Sequence, residues 1–145
     1  MLSIATDKQE PTSTEVLTFD PFTAHRQFAR VPPHLVVEAT MGSVVCAPAS
    51  LRWEVGNAAT AGVKRRRLTP ERARQLLVDF EQVTIRELAI DLRRAVDLGL
   101  ELGIYAYDAY ILEAARSTGF PLLALDGPIR RNAKKLGLSL VELDL

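Results

Sequence analysis

Tyr105-Ala106-Tyr107-Asp108-Ala109-Tyr110, followed by Pro121-Leu122-Leu123-Ala124-Leu125-Asp126, sets a helix against a strand near the end of the chain. The first segment opens a helix over about 107–117 that Gly119 stops, and the second reads as a buried strand over 121–125 ending on an acidic residue. Asp126-Gly127-Pro128 leads into a short basic helix over 128–136, and 138–143 reads as a last strand. A helix passing into a strand, and that strand into another helix, is the repeating unit of a parallel sheet.

The same alternation runs upstream. Residues 15–19 read as a strand that delivers Asp20, 35–40 as a helix closing at Gly42, and 44–47 as a second strand. Pro48-Ala49-Ser50 leads into a helix with Ser50 as N-cap, Leu51, Val55 and Ala58 on one face, and an end near Gly62. Thr69-Pro70 opens the next helix, in which Ala73, Leu76, Leu77 and Phe80 fall at i, i+3, i+4 and i+7. Residues 83–88 alternate as a strand, and Asp91 caps a helix bearing Leu92, Ala95, Val96 and Leu102 that ends at Gly103. The expected architecture is α/β: a mainly parallel sheet with helices on both faces, and ligands bound beyond the carboxyl ends of its strands. The stretch 21–30 has no helical stripe and is expected to be the least ordered part after the leader, since burying His25, Arg26 and Gln27 beside Phe22 and Phe28 is costly.

Composition bounds the possibilities. With 145 residues, 48% hydrophobic and 25% charged, the chain suits one domain, expected over 15–145 behind a flexible leader over 1–14. Eighteen basic and 18 acidic residues cancel, so any nucleic-acid binding must use a local patch. One cysteine, Cys46, lies in an apolar run and reads as a small buried hydrophobe; without a disulfide framework a cytoplasmic protein is expected. No signal-peptide core or membrane-length apolar run is seen, so no membrane association is expected. Glycine-rich phosphate loops, zinc-spaced Cys/His clusters and a Gly-x-Ser-x-Gly elbow are all missing.

What remains is acidic. Asp20, Glu54, Asp108 and Asp126 each fall at a strand end or helix start, where the fold predicts convergence at the carboxyl edge of the sheet. Two carboxylates about 4 Å apart repel by roughly 4 kcal/mol at an effective dielectric near 20, so such a cluster protonates or binds a cation. Hard oxygen ligands select Mg²⁺ or Mn²⁺ over zinc. The plainer account of Glu54 and Asp108 is helix-start electrostatics, about 0.3 to 1 kcal/mol each, and that of Asp126 is an Asp-Gly turn.

At these residues the chain resembles a PIN domain, more narrowly the VapC-like toxin ribonucleases of toxin–antitoxin pairs. The resemblance is clearest over 44–141. It is carried by Ala47-Pro48-Ala49-Ser50-Leu51-Arg52-Trp53-Glu54-Val55-Gly56-Asn57-Ala58, by the Tyr-Asp-Ala motif Tyr107-Asp108-Ala109, and by the acidic strand end from Leu122 to Asp126. It implies a three-layer α/β/α sandwich, Mg²⁺ or Mn²⁺ in the acidic cluster, RNA hydrolysis, a small antitoxin partner and a homodimer. On this reading Asp20, Asp108 and Asp126 are metal ligands, Glu54 is a ligand or orients the attacking water, and Asp108 and Glu54 are the catalytic pair. Asn57, one turn beyond Glu54, holds that water or a phosphate oxygen.

Lys64-Arg65-Arg66-Arg67 offers charge for RNA phosphates, or is simply a solvated basic loop; Arg130, with Arg131, Lys134 and Lys135, either faces substrate or forms a polar helix face. The tyrosines read as packing rather than base-stacking platforms. The family usually has a hydroxyl residue and then an apolar helix after its first Asp, whereas Pro21-Phe22-Thr23-Ala24-His25-Arg26-Gln27-Phe28 follows Asp20; Ala124 stands where a hydroxyl residue is often found. The competing readings are a degenerate PIN domain that binds a protein partner without cleaving RNA, and an unrelated α/β binding domain.

Overall fold

The computed structural model describes residues 15–18 and 38–143. The leader over 1–14, Asp20 and the stretch 21–30 lie outside the described residues. In chain order the elements are β1 (Glu15–Thr18), β2 (Val44–Pro48), α1 (Leu51–Lys64), α2 (Pro70–Glu81), β3 (Arg86–Leu88), α3 (Leu92–Leu102), α4 (Ala106–Thr118), β4 (Leu122–Leu123) and α5 (Gly127–Lys135). Residues 38–40 are also helical, and Gly42 follows with a φ of 77°.

All strand pairings are parallel, in the order β3-β2-β1-β4. Leu17 of β1 is the register point of the sheet, opposite Cys46 of β2 on one side and Leu122 of β4 on the other. The chain thus builds outward from β1 through β2 to β3, then crosses back to place β4 on the far side of β1. The connections leaving β1 and β4 run in opposite directions, which makes the crevice beyond their carboxyl ends the topological switch point where ligands bind in open parallel sheets.

Period-two alternation in β2 creates the two helical layers. Cys46 belongs to a buried cluster with Leu98, Ile111, Leu112, Leu122 and Ile129, contributed by α3, α4, β4 and α5. Its neighbour Ala47 belongs to a different cluster, with Leu51 and Val55 of α1 and the flanking Phe80 and Ile85. Adjacent residues of one strand therefore serve cores on opposite faces, giving the three-layer α/β/α sandwich.

Local signals place most helix ends. Thr69 and Asp91 cap α2 and α3 through their side chains, and Gly103 and Gly119 end α3 and α4 in the left-handed conformation. The strands differ more. The expected strands over 83–88 and 121–125 shorten to Arg86–Leu88 and Leu122–Leu123, and that over 138–143 is reduced to one bridge, Leu140 to Leu122. Two backbone bonds still tie this last segment to β4, Leu122 N–H to Ser139 (2.8 Å) and Val141 N–H to Leu122 (3.0 Å).

α1 also overruns its expected end, continuing to Lys64. Gly62 lies buried within the helix because Leu68 folds back over it: a Cβ there would stand 2.7 Å from Leu68 Cδ1. Its role is close approach rather than termination. Among the described residues no helix is long and apolar enough to cross a membrane.

Candidate functional site

β2 ends at Pro48, and the turn that follows sets Glu54 in the first turn of α1 beside the carboxyl edge of the sheet. Only 4% of Glu54 is exposed. Ser50 occupies the N-cap position but makes no side-chain cap bond; its hydroxyl donates instead to Glu54 Oε1 at 3.0 Å. A Ser-x-x-x-Glu spacing on a helix puts the two side chains on one face, so this pairing was visible as a pattern, though Ser50 reads from sequence only as a cap.

β4 delivers Asp126 to the same edge. Its side chain is the N-cap of α5, Oδ2 accepting from the Ile129 N–H at 3.4 Å, so the Asp-Gly turn is the start of a helix. α4 lies against β1 and β2 and passes into β4 through residues 119–121 alone, so it runs back along the sheet. Its first turn, with the half-buried Asp108, thereby returns to the carboxyl edge.

Topology thus gathers Glu54, Asp108 and Asp126 along one edge, yet among the described residues no three His, Cys, Asp or Glu side chains form a group able to hold a metal ion. The Glu54 carboxylate accepts from the Ser50 hydroxyl, and that of Asp126 accepts from the Ile129 amide of its own helix. Asp20, the fourth expected member, lies outside the described residues. The donor chemistry, carboxylate oxygens with one deeply buried, suits a hard divalent cation. The closed cluster expected from the sequence is not formed by the three described acids alone.

The expected RNA contacts are spread more widely. Asn57 is exposed one turn beyond Glu54. Lys64 and Arg65, also exposed, lie at the other end of α1, about 15 Å along its axis from Glu54. Arg130 is engaged within the fold: Nη1 donates to the Ala124 carbonyl at 3.2 Å and Nη2 to Glu142 Oε2 at 2.7 Å. It braces the turn that presents Asp126, a use that its position in a basic helix does not reveal. Tyr107 and Tyr110 pack edge to face, centroids 5.8 Å apart.

Two acidic residues without a sequence signal are structurally prominent. Glu113 is 1% exposed within α4 and pairs with Arg116. Glu87 of β3 accepts two hydrogen bonds at Oε1 from the guanidinium of Arg52 in α1, tying the helix that carries Glu54 to the sheet edge.

The PIN-domain family model matches residues 24–135. The chain belongs to the PIN-domain family. PIN domains are nuclease folds that generally work with divalent metal ions, which gives the acidic edge its chemical context. The family match begins after Asp20. This PIN domain is also similar in structure to PAE2754 from Pyrobaculum aerophilum, with a TM-score of 0.61 and 18% identity over 89% of this chain and 92% of that one, a likeness that concerns the fold. No curated protein matches the chain.

Proposed function

We propose that this PIN domain is a cytoplasmic, Mg²⁺- or Mn²⁺-dependent endoribonuclease acting as the VapC-like toxin of a toxin–antitoxin pair, held in check by a cognate antitoxin protein. The observation that carries the nuclease reading is the return of Glu54, Asp108 and Asp126 to the carboxyl edge, beside the switch-point crevice between β1 and β4. Asp20, Asp108 and Asp126 are the proposed ligands, with Glu54 completing the site. A bound divalent ion supplies Lewis acidity that activates water near neutral pH and stabilises the leaving oxygen.

The chain's own groups do the rest. Ser50 holds the buried Glu54 carboxylate in one orientation, so that it accepts a proton from, or positions, the attacking water. Asn57 offers an amide to a phosphate oxygen one turn away, Lys64 and Arg65 hold the RNA backbone further along α1, and Arg130 keeps the Asp126 turn in place.

The deciding experiment incubates the purified chain with labelled single-stranded RNA, with and without EDTA, and then restores Mg²⁺ or Mn²⁺. Cleavage should stop with chelator, return with metal, and be lost in Asp108→Asn, whose amide keeps the shape of the side chain without its charge. Cleavage that survives both EDTA and Asp108→Asn refutes the proposal. The second reading, a degenerate PIN domain serving as a protein-binding module, draws on the family match starting after Asp20; a folded chain that binds a partner and leaves RNA intact at every metal concentration would favour it.

A further inference from the structure

The outward face of α1 carries a line of residues that the core does not use. Trp53, Asn57, Thr60 and Lys64 fall at i, i+4, i+7 and i+11, on the side opposite the buried Leu51, Val55, Ala59 and Gly62, and all of them are exposed. Trp53 is the chain's single tryptophan, and this large apolar ring is 69% exposed. It directly precedes the buried Glu54, so the indole stands at the border of the acidic edge. Gly56, one turn on, is equally unexpected. It lies inside the helix, where glycine is less favourable than alanine. Gly62 and Gly99 are explained by close approach, but among the described residues a Cβ at Gly56 would meet nothing within 4 Å. Packing does not account for a bare backbone step beside an exposed indole.

We propose that Trp53 is a base-stacking platform for single-stranded RNA, the bare step at Gly56 being the space into which an unpaired base fits beside the indole. The inference rests on the nuclease reading and adds to it a subsite for a base next to the phosphate that is cut. The chemistry of the line favours RNA over a protein partner. A partner helix or groove would need further apolar anchors at the following turns, and Asn57, Thr60 and Lys64 supply none. Thr60 turns its hydroxyl back to the carbonyls of Gly56 (3.1 Å) and Asn57 (3.0 Å). The line therefore offers an aromatic face, then an amide, then the Lys64 ammonium with Arg65 beside it, the combination by which unpaired strands are held. A base that stacks on Trp53 must first leave any duplex, so the subsite selects an unpaired nucleotide.

Because the chain has one tryptophan, its intrinsic fluorescence reads the site directly. The Asp108→Asn variant, with Mg²⁺ present and the RNA left whole, is titrated with a single-stranded RNA and with the same sequence as a duplex. The single strand should quench the indole saturably and the duplex should not. In that background, with labelled RNA followed by anisotropy and circular dichroism confirming the fold, Trp53→Leu should weaken binding about tenfold, and Trp53→Phe, which keeps a ring, by roughly threefold at most. Gly56→Leu should also weaken binding while raising the melting temperature, a combination that a merely structural role for Gly56 would not produce. Fluorescence indifferent to single strands at every RNA concentration overturns the proposal and leaves the ring to a protein partner. So does an affinity unchanged by both Trp53→Leu and Gly56→Leu. The failures are distinguishable: a wild-type chain that cleaves RNA without quenching loses only the stacking site, and one that is quenched but never cleaves loses only the nuclease reading.

Discussion

Arg116→Met removes the only described cation paired with a carboxylate that is itself almost wholly buried. Glu113 Oε2 receives both Nε at 2.8 Å and Nη2 at 2.6 Å of Arg116, and the Glu113 side chain is 1% exposed. Breaking a buried pair by deleting one partner costs about 3 to 5 kcal/mol, since the remaining charge stays desolvated. The Arg116 side chain is 41% exposed, so water screens the pair and can partly replace the guanidinium. The expected loss is therefore about 2 to 3 kcal/mol. Replacing both residues with apolar ones, Glu113→Leu and Arg116→Met, removes the stranded charge and should recover stability to within about 1 kcal/mol of the parent.

Urea denaturation followed by circular dichroism measures both, and unchanged slopes would show that the midpoint shifts are stability changes. A single-variant loss below about 1 kcal/mol, or a double variant no better than the single one, would refute this account of α4. Because α4 carries Asp108 in its first turn, cleavage by Arg116→Met should fall only where the protein begins to unfold.

The remaining expectations concern the acidic edge and its surroundings. Ser50→Ala deletes the hydroxyl that orients Glu54 without deleting a helix cap, so it should cost about 1 kcal/mol of stability but raise the metal concentration for half-maximal cleavage about tenfold; an unchanged metal titration would remove Ser50 from the site. Lys64→Ala with Arg65→Ala should lower the salt dependence of RNA binding by about 1.4 logarithmic units, two single-strand phosphate contacts' worth, and an unaltered slope would assign the basic run to a solvated loop. Asp108→Asn should end metal-dependent cleavage while the fold persists.

The order and type of the elements were legible from sequence because they depend on neighbours in the chain. Thr69 and Asp91 cap helices through residues three positions on, and Gly103 and Gly119 take left-handed conformations that other residues resist. The places of Glu54, Asp108 and Asp126 in the fold were legible for the same reason, each lying at a helix start, and the motifs around them carried the PIN resemblance. Strand order, and with it the crevice between β1 and β4, came only from tertiary pairing: nothing within the Leu122–Leu123 segment states that it lies beside β1 rather than β3. Burial is similarly non-local. The α3 pattern groups Leu92, Ala95, Val96 and Leu102 as one apolar set, but the approach of α4 at Gly99 buries Ala95 and leaves Leu92 and Val96 outside. Ser50 resembles a cap and serves Glu54, and Gly62 resembles a stop and makes room for Leu68. In each case a side chain's local preference is weaker than the contact that the assembled sheet and helices place within its reach.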